Sequence, residues 1–222
     1  MSTAFISANL VPTVSCYQST SADECAKDIA RDAADLVTLD GGELFKHGRQ
    51  RLVAPVMAED YGNGDAAYWG IAVVKRSSSF TINDLEGKKS CHTAYMRNAG
   101  WKVPIGFLIS RGDIAIGADE CDIPKAVGEF FSQSCVPGVL EPSNNPNGTN
   151  PDNLCTLCKG EGENKCKIND NEPYVGHSGA FRCLVEDTGD VAFVKHTTVG
   201  ANTDGSGSQT WNSGLQKADY QL

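Results

Sequence analysis

The stretch Lys89-Ser90-Cys91-His92-Thr93-Ala94-Tyr95-Met96-Arg97-Asn98-Ala99-Gly100-Trp101 decides how this chain is read. Pro104 follows it closely, and proline, which has no amide donor, sits in a helix without damage only in the first turn. Trp101, Ile105, Leu108 and Ile109 recur at helical intervals, so a helix is predicted to begin near Ala99 to Trp101. The amides of Ala99 and Gly100 then lie at its start, without intrahelical acceptors. Amides in that position, backed by the helix dipole, favour an anion by about 0.3–1 kcal/mol when exposed and by more when buried. Thr93 adds a hydroxyl and Arg97 a fork of donors, a combination that suits a planar dianion such as carbonate. The plainer reading is that Thr93 caps a turn and Arg97 is a solvated side chain.

Two oxygen donors lie upstream. Ala34 to Leu39 reads as a short buried strand delivering Asp40 into Gly41-Gly42, and ligands of open α/β sheets gather at the carboxyl ends of strands. Leu52 to Glu59 is a second extended run, carrying Tyr61 into the turn Gly62-Asn63-Gly64. By themselves, Asp40 reads as a turn or helix cap and Tyr61 as a surface aromatic.

The remaining elements alternate. Ser21-Ala22-Asp23-Glu24 has capping-box spacing, with Cys25, Ile29 and Ala33 following at helical intervals. Ala66 to Lys75 is β-rich, and Phe80 to Gly87 turns the chain toward a short strand before Thr93. Ile123, Ala126, Val127, Phe130 and Phe131 form the apolar face of a helix predicted to end near Gln133. Glu141 to Asn153 is a polar loop, Ser178 is placed to cap a helix from Gly179 to Val185, and Asp190 to Val194 reads as a final buried strand. Thr203 to Ser213 reads as flexible. The class is α/β.

Six strings then resemble the transferrin family, and within it the melanotransferrin-like branch: Val37-Thr38-Leu39-Asp40-Gly41-Gly42, Ala58-Glu59-Asp60-Tyr61-Gly62, Ser90-Cys91-His92-Thr93, Arg97-Asn98-Ala99-Gly100-Trp101, Ser178-Gly179-Ala180-Phe181-Arg182-Cys183 and Gly189-Asp190-Val191-Ala192-Phe193-Val194-Lys195-His196. They run in family order from about residue 10 to the C-terminus. The resemblance implies an incomplete lobe of the two-subdomain, periplasmic-binding-protein-like kind, with residues 1–58 as a partial first subdomain and residues 59–222 as the second. It implies one Fe(III) ion held with a synergistic carbonate. Asp40 and Tyr61 match iron ligands, and Thr93, Arg97 and the amides of Ala99 and Gly100 match the carbonate site. A hard cation prefers anionic oxygen donors, which a carboxylate and a phenolate supply.

The chain departs from the pattern at His177, which stands where the family usually has a second tyrosine ligand. An imidazole is a softer, uncharged donor that protonates near neutral pH, so weaker and more acid-labile iron binding is expected if it coordinates. The other reading of His177 is a helix-flanking side chain hydrogen-bonded to water or a carboxylate. Lys195 matches a family lysine whose cleft-facing partner is not on this chain. The family's histidine ligand also lies beyond the last residue, and its opening strand before the first matching one.

The same resemblance pairs Cys91 with Cys183, Cys135 with Cys158 and Cys155 with Cys166. It matches Cys16, Cys25 and Cys121 to positions whose partners lie outside these residues, although Cys16 and Cys25 are also a candidate pair. Nine cysteines in an acidic chain suggest an oxidising, extracellular compartment, whereas three thiols without a nearby histidine argue against a zinc knuckle at Cys155, Cys158 and Cys166. Asn147-Gly148-Thr149 is a glycosylation acceptor sequence.

A chain of 222 residues, 40% hydrophobic, can bury a substantial core. The formal net charge of -9 argues against nucleic acid or anionic membrane as general partners. No stretch is long and apolar enough to span a bilayer, and the N-terminus lacks the basic and apolar regions of a signal peptide. The expected function is therefore secreted, non-enzymatic iron binding with ferric iron, carbonate and a cell-surface receptor as partners. The alternative is an extracellular interaction module of the same fold with lost or weakened iron binding. Hydrolysis by Ser178 with His177 and Asp40 has the right residue types but no Gly-x-Ser-x-Gly elbow.

Overall fold

A computed structural model of the chain describes residues 14–60, 67–117 and 121–222. The chain divides into two compact units, Met1–Asp60 and Tyr61–Leu222.

In the first unit, helix α1 (Ala22–Ala30) starts where the capping spacing places it, with the Ser21 hydroxyl accepting from the Glu24 amide at 3.2 Å. The helix stops before Ala33, because Asp32 turns left-handed at φ 59°. Its buried positions are Ala26 and Asp28 rather than Cys25 and Ile29. Ala34 to Leu39 does not form the expected strand, and Leu36 is 71% exposed. A lone extended segment has no ladder to satisfy its amides, and no strand forms among the described residues of this unit. The segment leads instead into helix α2 (Gly41–Arg49).

The second unit is built on one mixed five-stranded sheet, with strands β1 (Gly70–Lys75), β2 (Lys89–His92), β3 (Gln133–Cys135), β4 (Val191–Lys195) and β5 (Tyr220–Gln221) in the order β3-β2-β4-β1-β5. Strand β2 runs parallel to both β3 and β4, whereas β1 pairs antiparallel with β4 and β5. Val191 to Val194 of β4 are buried in succession, the pattern of a strand covered on both faces. Helices α3 (Val103–Arg111), α4 (Ile123–Phe130), α5 (Gly176–Val185) and α6 (Thr198–Asn202) complete the unit.

Successive side chains of β2 point to opposite faces. Cys91 is bonded to Cys183 of α5, while Ser90 and His92 turn to the other face, where His92 packs against Trp101, Phe131 and Phe193. All three family-implied disulfides form. Beside Cys135–Cys158 lies the buried carboxylate of Glu172, but the two sulfurs are bonded to each other and the carboxylate accepts the amides of Lys159, Gly160, Cys166 and Tyr174 at 2.8–3.2 Å. This group is a clasp for the disulfide loop, not a set of free metal donors.

Several boundaries differ from expectation. Helix α4 ends at Phe130, and Gln133 opens β3. Strand β4 is followed by β5, whose pairing to β1 no local pattern announces. Thr203 to Ser213 is an ordered turn: the Thr203 hydroxyl bonds the Val199 carbonyl at 2.8 Å and the Asn212 amide group reaches Asn202 at 3.3 Å. Side-chain amides and hydroxyls hold this segment together with Trp211, which packs against Phe181.

Candidate oxyanion and metal site

Thr93 follows β2 at the carboxyl edge of the parallel strands, the edge where open α/β sheets place ligands. From there the chain turns through Met96, left-handed at φ 62°, and winds from Asn98 to Lys102 in one π-helical turn that runs into α3. Pro104 sits in the first turn of α3, as its missing donor requires. The Arg97 carbonyl accepts the amides of Trp101 and Lys102 at 2.9 and 3.0 Å. Among the described residues, no acceptor takes the amides of Ala99 and Gly100.

The Thr93 hydroxyl is buried and has no hydrogen-bond partner. It lies against Gly100, where an added Cβ would collide with the threonine side chain. A buried hydroxyl without a partner costs about 1–3 kcal/mol unless something else bonds it. Helix α5 begins at the same edge, with the Gly176 amide donating to the Thr93 carbonyl at 2.7 Å. Two helix starts, with their positive ends, therefore meet beside Thr93. The donors present, one hydroxyl and two amides, are of the kind that bond an oxyanion.

His177 lies in the first turn of α5, half-buried. Burial chiefly, then the positive charges of Lys195 and Arg97, push its pKa down to about 4. The Nδ1 atom of His177 accepts the Lys195 amide at 3.2 Å. That bond puts the proton of the neutral ring on Nε2, so neither nitrogen offers a free lone pair to a cation in this arrangement. The Lys195 ammonium lies 4.9 Å from the ring centre of Tyr68.

Asp40, in the first unit, is the N-cap of α2: its carboxylate accepts the Glu43 amide at 2.8 Å while Glu43 reaches back to the Asp40 amide at 3.4 Å. One carboxylate oxygen of Asp40 is thus committed to the cap. Tyr61 lies outside the described residues. Ser178 does not cap α5, which begins at Gly176; its hydroxyl accepts from the Asn202 side chain at 3.0 Å. A serine bonded to an asparagine amide, next to a histidine whose Nδ1 is taken, is not a nucleophile–base pair. Tyr174 is a buried structural residue, its hydroxyl bonded to Glu186 and Thr188, each at 2.8 Å.

Sequence reasoning passed over His92 altogether. It is fully buried, with Nδ1 2.7 Å from the Gly100 carbonyl and Nε2 2.9 Å from the Ser90 hydroxyl. Two polar residues on one buried face of a strand were the available signal.

These features define an α/β protein in which a buried hydroxyl and two backbone amides without acceptors among the described residues gather at the carboxyl edge of the parallel strands, beside two helix starts. The transferrin family model matches residues 1–221, and the chain belongs to the transferrin family. It is 43% identical to a transferrin of Blaberus discoidalis over 99% of this chain and 31% of that protein. It is 46% identical to melanotransferrin of Oryctolagus cuniculus over 100% of this chain and 30% of that protein, and 41% identical to lactotransferrin of Homo sapiens over 95% and 29%. The chain thus spans about a third of the length of these curated relatives.

Proposed function

We propose that the chain binds ferric iron together with carbonate, as a non-enzymatic part of a secreted transferrin-type carrier or sequestering protein. Thr93, Arg97 and the amides of Ala99 and Gly100 hold the carbonate, which brings negative oxygens to the cation and neutralises the guanidinium and helix ends. Asp40 and Tyr61 supply the anionic protein oxygens. His177 joins the metal only if its ring exchanges tautomer and gives up the Lys195 amide. In this reading residues 1–58 belong to a first subdomain and residues 59–222 to a second. Three disulfides suit an oxidising compartment, and the sequon at Asn147 a glycosylated surface. A cell-surface receptor is the expected macromolecular partner.

The observation that carries the proposal is the buried, unpartnered Thr93 hydroxyl pressed against Gly100. Titration with Fe(III)-nitrilotriacetate, with and without bicarbonate, tests it. A phenolate-to-iron absorption band that needs bicarbonate and disappears in Tyr61→Phe is expected; no band under either condition would defeat the iron reading.

One observation favours an interaction module with weakened iron binding: the second phenolate is absent and the imidazole in its place has its Nδ1 lone pair engaged. Bicarbonate binding with no iron response at any bicarbonate concentration would select that reading.

A further inference from the structure

Gly100 lies inside the single π-helical turn that runs into α3, with its carbonyl directed at β2. His92 supplies a donor from another element, its Nδ1 standing 2.7 Å from that carbonyl. A carbonyl only accepts, so Nδ1 carries the proton and Nε2 is left as an acceptor. The Ser90 hydroxyl, 2.9 Å away, donates to Nε2, and the Ser134 hydroxyl donates in turn to Ser90 at 2.7 Å. Ser90 and Ser134 are direct partners in the parallel pairing of β2 with β3. The result is a one-directional chain from β3 through β2 to the turn that presents Ala99 and Gly100.

All three side chains are fully buried, beside Trp101, Phe131 and Phe193. Burying an imidazole and two hydroxyls in such surroundings is costly unless every partner is met, and a dry medium strengthens each bond that is met. Apolar residues could fill this volume. They could not donate a hydrogen bond to the Gly100 carbonyl.

We propose that His92 is the positioning residue of the oxyanion cradle: by fixing the Gly100 carbonyl, with its own ring fixed by Ser90 and Ser134, it sets the direction of the amides that meet the anion. The inference rests on the carbonate reading above. It assigns no contact between His92 and the anion. The chain acts through the Gly100 backbone.

The test compares His92→Leu, which removes the donor, with His92→Asn, whose side-chain amide can replace Nδ1–H. Both lose the ring's packing, so both should lower thermal stability similarly. Bicarbonate binding, followed by calorimetry and by the amide resonances of Ala99 and Gly100, should weaken about tenfold in His92→Leu, the loss of one well-placed bond. His92→Asn should recover most of it. Long-range proton–nitrogen spectra of the unmodified protein should show His92 protonated at Nδ1.

Equal bicarbonate affinity in both variants, or an Nε2-protonated ring, would overturn the inference while leaving the carbonate site intact. Failure of the unmodified protein to bind bicarbonate would overturn the site and this inference together. Should His92→Leu not fold, Ser90→Ala serves in its place. It keeps the ring and its Nδ1 proton but removes the donor to Nε2, and it is expected to shift the Nε2 resonance and weaken bicarbonate binding; an unchanged resonance and affinity would count against the relay.

Discussion

The backbone amide of Lys195 donates to Nδ1 of His177, 3.2 Å away, and so occupies the lone pair that a metal would need. His177→Ala is therefore expected to change ferric affinity less than twofold, whereas His177→Tyr, by adding a phenolate, should tighten binding and move iron release to lower pH. Spectrophotometric titration with Fe(III)-nitrilotriacetate in bicarbonate checks both. A large loss of affinity in His177→Ala would show that the ring does coordinate.

Thr93→Val should have opposite effects on stability and on binding. Removing a buried hydroxyl that has no partner should raise the melting temperature of the ligand-free protein, by about 1 kcal/mol or more in stability. Bicarbonate binding should fall in the same variant. If stability drops instead, the hydroxyl has a partner in solution before any anion arrives.

Gly100→Ala should disrupt the cradle, because the new methyl group has nowhere to go but into the Thr93 side chain. A cost of about 1–3 kcal/mol is expected, typical of overpacking. Chemical denaturation measures it, and Gly106→Ala, where nothing lies within 4 Å of the added methyl, is the internal control.

Stability should fall in acid in two stages. Burial depresses the His92 pKa to about 4, against a weaker opposing effect of its bond to Gly100. The unfolded chain therefore takes up a proton that the folded one refuses, and stability present above about pH 6.5 is lost as the pH falls toward 4, by up to about 3 kcal/mol. Glu186 acts lower. Burial raises its carboxyl, but Lys159, Arg182 and the Tyr174 hydroxyl together outweigh that and hold it at about 2. Its contribution, present above about pH 4.5, is lost as the pH falls toward 2. Glu186→Gln should flatten only the lower stage of a stability–pH curve.

Glu172→Gln should destabilise the disulfide loop by about 2–3 kcal/mol, since one carboxylate serves four backbone amides and a carboxamide presents a donor to some of them. Faster proteolysis or hydrogen exchange around Gly160 and Cys166, with the sheet unaffected, is the expected signature.

What could be read from the residues was whatever a covalent or short-range constraint imposes. Pro104 placed the start of a helix because it has no amide, and Ser21 capped α1 three residues ahead of Glu24. The closeness of Thr93, Ala99 and Gly100 was legible for the same reason: they lie within eight residues, and one turn brings them together. The segment Ala34 to Leu39 misled because an extended run becomes a strand only when a neighbour pairs with it. Thr203 to Ser213 gave no periodic signal because its contacts are made by polar side chains and a single aromatic, Trp211.

The sequence by itself determined the α/β class and the family, since periodicity carries the first and the order of the matching strings the second. Only the tertiary structure decided which nitrogen of His177 is engaged, that Thr93 is left without a partner, and that His92 reaches Gly100. Each of those depends on a hydrogen bond, made or missing, between atoms whose separation the folded sheet and its helices set, and local sequence carries no measure of that distance.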